Sequence, residues 1–202
     1  MLKHLMILLC VVLSASSNAQ VFLYGEAGVG KGTGTGGKFD LNALFLKNNI
    51  VSVGFYGYDG TANNIPGDYI SPGGGGDDKP ETDLSAFTIM YGKMLFLKDE
   101  PLVRFSLKGG LAFGTIDRPE HFMPNNVYPL LVGNYTYDLV EHNFTGLVLN
   151  PSVEFPVTRG FGFRVGVTSV INKYNSTVMA EAIILFGKLR HHIKHPDNLE
   201  KK

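Results

Sequence analysis

The sequence predicts an all-β chain, with eight antiparallel strands following one another in up-and-down order around a transmembrane β-barrel. Three observations predict it: an apolar period of two through eight segments, an exported chain left without cysteine, and connections that alternate between short and long. Composition agrees, since the 202 residues hold 25 Gly, 14 Phe and 9 Tyr without proline- or serine-rich stretches.

Residues 1–19 set the compartment. Lys3 and His4 form a basic start, Leu5 to Leu13 run apolar without a break, and Ser14 to Ala19 end in a small-x-small cleavage pattern. That is a secretory signal peptide, with Gln20 as the expected mature N-terminus. The single cysteine, Cys10, lies inside the apolar run and follows Leu9, where a lipoprotein site would need a small residue. Export therefore leaves a chain without disulfides. No later apolar run approaches the ~18 residues of a membrane helix. The charges balance at 18 basic and 18 acidic residues, so no basic excess points to nucleic acid.

The eight segments follow in order. In residues 21–29, Val21, Leu23, Ala27 and Val29 share one face and Glu26 takes the other. Residues 38–45 set Phe39, Leu41, Ala43 and Phe45 against Lys38, Asp40 and Asn42. Residues 50–58 set Val51, Val53 and Phe55 against Ser52, Gly54 and Tyr56. The fourth segment, 84–96, alternates too weakly for its faces to be assigned. The fifth is the clearest, with Val103, Phe105, Leu107, Leu111 and Phe113 opposite Arg104, Ser106, Lys108, Gly110 and Ala112. The sixth sets Leu147, Leu149, Val153 and Phe155 against Asn150, Ser152 and Glu154. The seventh sets Phe161, Phe163, Val165 and Val167 against Gly162, Arg164, Gly166 and Thr168. The last sets Ala180, Ala182, Ile184 and Phe186 against Glu181.

A soluble barrel turns such an apolar face inward, whereas a membrane barrel turns it towards lipid. The connections separate the two. Short turns at 47–49, 98–101 and 156–160 fall at one end, and longer loops at 30–37, 59–83, 117–143 and 172–177 fall at the other. Strands of roughly 9–12 residues match a tilted crossing of the hydrocarbon.

In these respects residues 20–189 resemble the small eight-stranded outer-membrane β-barrel proteins of Gram-negative bacteria. The resemblance implies a closed meander in the cell outer membrane, with the N-terminus and short turns in the periplasm and the long loops outside. It also implies outer-membrane lipid and the barrel-insertion machinery as partners. Such barrels often end on an aromatic residue. Here Phe186-Gly187-Lys188-Leu189 runs on into "RHHIKHPDNLEKK", a polar tail over 190–202 expected in the periplasm.

The inward face then carries Glu26, Asp40, Arg104, Lys108, Glu154, Arg164 and Glu181, a mix of acids and bases. An eight-stranded barrel is barely wide enough for its own side chains, so a paired polar network is expected there rather than a conducting path. Gly28, Gly54, Gly110, Gly162 and Gly166 on that face leave room for long neighbours or relieve curvature.

Other motifs carry less. Gly25, Gly30 and Lys31 have the spacing of a phosphate loop, but Gly32 stands where magnesium would need Ser or Thr, and a strand follows where a helix is required. A lipid-modifying enzyme would need a nucleophile beside His121 or His142, near Asp138 and Glu141, and no Gly-x-Ser-x-Gly is present. No catalytic residue, cofactor or metal is therefore expected. Asp77, Asp78, Glu81 and Asp83 read as a solvated acidic loop rather than a calcium site. His191, His192 and His195 read as a polar tail rather than a metal site. The triplets at Asn134, Asn143 and Asn175 match glycosylation acceptors, which an abundance of asparagine also produces by chance. Tyr128, Tyr135 and Tyr137 suit a binding surface or an interfacial girdle.

The expected role is structural or surface-binding, through loops 59–83 and 117–143 towards an extracellular ligand or protein of unknown identity. A lipid-modifying enzyme, a narrow solute channel and a soluble periplasmic ligand-binding barrel are the alternatives.

Overall fold

The computed structural model describes residues 21–46, 48–72, 79–96, 103–125 and 133–189. The signal at 1–19, the tail at 190–202, Asp77, Asp78, Tyr128 and the three tail histidines lie outside the described residues.

Eight strands form: β1 (Phe22–Gly32), β2 (Gly34–Phe45), β3 (Asn49–Thr61), β4 (Glu81–Phe96), β5 (Arg104–Pro124), β6 (Tyr135–Phe155), β7 (Phe161–Ile171) and β8 (Ser176–Gly187). Each pairs antiparallel with the next, and β1 pairs with β8 to close the ring. The period-two pattern sorts the side chains as expected in the strands whose faces the sequence assigns. Leu23, Val29, Phe55, Leu107, Val165 and Ile184 stand exposed on the outside, while Glu26, Asp40, Lys108, Arg164 and Glu181 are buried.

The fourth segment can now be assigned. Leu84, Ala86, Met90 and Met94 point inward, and Phe87, Ile89, Tyr91 and Leu95 point outward. Apolar residues on both faces erase the alternation that marks the other strands.

Loop boundaries move in three places. The glycine-rich 30–37 is not a long loop: Gly30 pairs with Gly36 and Lys31 with Thr35, leaving Thr33 alone between strands. The second loop shortens to 62–80 and the third to 125–134. Much of 117–143 is instead a two-stranded ribbon, because β5 and β6 stay paired from Asp117↔Glu141 out to Pro124↔Tyr135, past the end of the barrel wall. A bulge between Glu120 and Met123 bends this ribbon, with His121 at φ 55 in the left-handed region.

Two local solutions hold the wall together. Pro151 interrupts the β6–β7 ladder, and the side-chain amide of Asn150 donates instead to the Val167 carbonyl at 3.1 Å. Gly54 faces the carboxylate of Asp40, where any Cβ would collide with it. Among the five glycines expected on the inner face, this one makes room for a charge.

The interior is stratified. Tyr56, Leu84, Met90, Ile116, Phe144 and Met179 belong to an apolar cluster towards the end bearing the longer loops. Tyr24, Leu44, Ile50, Met94, Leu185 and Leu189 form a second cluster at the short-turn end. Leu189 belongs there because Gly187, at φ 123, turns the chain inward beyond β8. The ion pairs around Glu26 lie between the two clusters, whereas Arg104 and Glu154 lie within the second, bonded to Leu189 and Tyr24.

Candidate functional site

Two regions bear on function: the charged layer within the barrel and the structure standing above the rim that bears the longer loops.

All seven residues expected on the inner face lie in the lumen, and Lys38 joins them. The alternation of β2 puts Lys38 on the same polar face as Asp40, although it is not among the seven. Four acids (Glu26, Asp40, Glu154, Glu181) now face four bases (Lys38, Arg104, Lys108, Arg164), so the buried layer is balanced. Glu26 is its hub: Arg164 Nη1 lies 2.7 Å from one carboxylate oxygen, and Lys108 Nζ lies 3.0 Å from the other. Lys38 pairs with Asp40 at 2.9 Å and reaches Glu181 at 3.7 Å, which Arg164 also contacts at 3.2 Å. Nearer the short-turn end, Arg104 binds Glu154 at 2.6 Å and donates to the Leu189 carbonyl at 2.8 Å. Tyr24 donates its hydroxyl to Glu154 at 3.1 Å. Buried charges with this many partners cohere as a network, and removing one partner strands the others.

Above the rim, the segment after β3 is fastened to the ribbon. Asn134 donates its side-chain amide to the Asp68 carbonyl at 2.7 Å and accepts from the Ile70 N–H at 2.7 Å. Tyr135 donates its hydroxyl to the Asp68 carboxylate at 2.9 Å. This bond holds the Tyr135 phenol above the ordinary tyrosine range, because the carboxylate favours the protonated form. Tyr69 stacks on Tyr135, and Phe122 packs against Tyr69, Tyr135 and Tyr137. Tyr135 and Tyr137 therefore build an aromatic cluster in the ribbon.

The histidines weighed for catalysis fall into separate pairs. His142 bonds Glu120 at 3.1 Å and stacks on Tyr174 with ring centroids 4.5 Å apart. His121 lies in open solvent, 3.6 Å from Asp138. Arg118 pairs with Glu120 and donates to the Tyr174 carbonyl at 3.0 Å, so this group holds the β7–β8 turn in place.

No family model matches the chain, and neither does any curated protein. Among solved structures it is similar to the N-terminal β-barrel domain of OprF from Pseudomonas aeruginosa, with a TM-score of 0.50 at 11% identity over 84% of this chain and 96% of that one. The fold is that of an eight-stranded outer-membrane barrel. Neisserial surface protein A gives a TM-score of 0.47 at 14% identity, covering 85% of this chain and 99% of its own. Ail of Yersinia pestis gives 0.45 at 9%, covering 85% and 97%.

The outside of this outer-membrane barrel fold is layered too. Phe39, Phe55, Phe87 and Phe113 sit directly opposite one another on β2 to β5, an apolar row across the wall. Four residues further out, Asp59, Asp83, Asp117 and Glu141 are direct cross-strand neighbours on β3 to β6. Asp83, expected in an acidic loop with Asp77, Asp78 and Glu81, is instead in a strand beside other acids. Among the described residues, no group of His, Cys, Asp and Glu is arranged to hold a metal ion.

Proposed function

We propose that this chain is an exported outer-membrane barrel with a filled lumen, whose function lies in what its outer end binds. The observation that carries it is the inversion of polarity: Leu23, Val29, Phe55 and Leu107 are exposed around the wall while eight charged side chains are sealed inside. That arrangement is unstable in water and suited to a hydrocarbon surround. The periplasmic end is the one with short turns, and the ribbon and the 62–72 segment face outward from the cell. Outer-membrane lipid and the insertion machinery are its partners in the envelope, and nucleic acid is not among them.

The two apolar clusters above and below the ion pairs around Glu26 support a structural lumen over a solute path. The fastened 62–72 segment supports a preformed surface over a floppy one, which lowers the entropy lost on binding.

Membrane fractionation with detergent extraction tests the location, and recovery in the soluble periplasm would sink the proposal. Protease applied to intact cells is expected to cut within the connections 62–80 and 125–134 only. Planar-bilayer recordings are expected to show no stable unitary conductance.

A further inference from the structure

The outer mouth of the barrel contains a polar cup of about 390 Å³, inside the usual range for small-ligand sites. Three separate pieces of chain meet there. Thr33 comes from the β1–β2 turn, Tyr58, Thr61 and Asn63 from the end of β3 and beyond, and Asn172 to Ser176 from the β7–β8 turn.

We propose that this cup binds a neutral, hydroxyl-rich ligand, a mono- or disaccharide unit. The inference rests on the outward orientation proposed above and names the ligand class of that end.

Its chemistry argues for this class. The lining is made of hydroxyls and carboxamides, with Lys173 as its one charged side chain and no carboxylate. A metal cation or basic peptide would find no counter-charge. A multiply charged anion would meet a single ammonium, which already sits 5.2 Å over the Tyr174 ring. Carboxamides and hydroxyls both donate and accept, which is what vicinal sugar hydroxyls require.

Two hydrogen-bonding capacities are left for a ligand. Asn172 accepts through Oδ1 from the Tyr174 and Asn175 N–H groups at 2.8 and 3.0 Å, while its buried Nδ2 bonds nothing among the described residues. A buried donor left unmade is costly, and a ligand oxygen reaches it once the Asn172 side chain shifts towards the cup. Across the cup, Asn63 Nδ2 reaches Asn175 Oδ1 at 3.4 Å, a long bond that a ligand hydroxyl can replace with two shorter ones. The cup is also held ready. Arg118 and His142 fix the Tyr174 turn from the side of the ribbon, and the Tyr58 hydroxyl donates to Thr33 at 3.2 Å.

The test is a titration of full-length protein, recovered from the membrane fraction into dodecylphosphocholine, which carries no sugar. Maltose, lactose and chitobiose are the probes, inorganic phosphate is the anionic control, and side-chain amide NMR signals are the readout. The expected result is a saturable shift of the Asn63, Asn172 and Asn175 amides with at least one disaccharide. Asn172→Ser keeps a turn-capping oxygen but lacks the free amide, and should weaken that affinity about tenfold while the Tyr174 and Asn175 N–H signals stay in place. Should that turn move instead, Asn63→Ala serves as the second variant, with the same expected loss. An alkyl maltoside that shifts these signals where free maltose does not would assign the site to lipid-linked sugar. Shifts with phosphate alone, or none with any disaccharide on a well-folded sample, would overturn the proposal. Because the sample already comes from the membrane, that failure is distinct from failure of the barrel reading.

Discussion

Arg164 and Glu26 meet across the lumen, 138 residues apart in sequence, with one guanidinium nitrogen in contact with both carboxylate oxygens. Lys108 shares the same carboxylate. Arg164→Ala therefore leaves the sealed layer with four acids against three bases, Glu26 keeping Lys108 and Glu181 keeping Lys38, an expected loss of about 3–5 kcal/mol. Denaturant titration of the refolded variant in detergent measures it, and a midpoint equal to the parent would show that the network does not stabilise the barrel.

The bond from Tyr135 to Asp68 makes the outer clamp sensitive to alkali. The folded phenol is raised above its ordinary value by that hydrogen bond. Its contribution is thus complete below the unfolded tyrosine pKa of about 10 and is lost as pH rises through the higher folded value. Protease cutting of 62–72 should accelerate across that window. Asp68→Asn should abolish the pH step, and an unchanged profile would remove the clamp from the explanation.

Four acids side by side repel, and like charges directly opposite on neighbouring strands are unfavourable. Asp83→Asn, in the middle of the row Asp59–Asp83–Asp117–Glu141, is expected to stabilise the barrel by about 0.2–1 kcal/mol. The gain should shrink as added salt screens the row. Thermal melts at low and high ionic strength measure both effects.

Leu189 lies beyond the last strand yet is 2% exposed, within the apolar cluster at the short-turn end. Leu189→Ala is expected to cost about 2–5 kcal/mol, as for other buried leucines, although the residue pairs with no strand. Chemical denaturation tests it, and a loss below the error of the fit would place the side chain outside the core.

Much of this architecture was legible because a period of two needs no partner to be seen: each strand declares its two faces locally. Glu26, Lys108 and Arg164 were recognisable as inward residues for that reason. β4 was not, since Leu84 and Phe87 are both apolar while facing opposite ways, and only the register separates them. The ribbon was read as loop because Glu120 and Asp138 pair in a ladder whose faces are both wet, leaving no apolar period to detect. The cup was invisible for another reason. Thr33, Asn63 and Asn172 lie in three connections, and nothing in any one of them announces the other two.

The distribution of the buried charges bears on assembly. β3 and β4 contribute none, whereas Glu26 is on β1, Arg164 on β7 and Glu181 on β8. A sheet with β1 and β8 still apart would keep Arg164 beside Glu181 on the paired β7 and β8 but hold Glu26 away from Arg164, in surroundings that disfavour lone ions. Joining the first strand to the last brings them together at one moment, so the seam acts as a latch. Half-open forms are penalised, and the barrel is expected to shut as a single cooperative event.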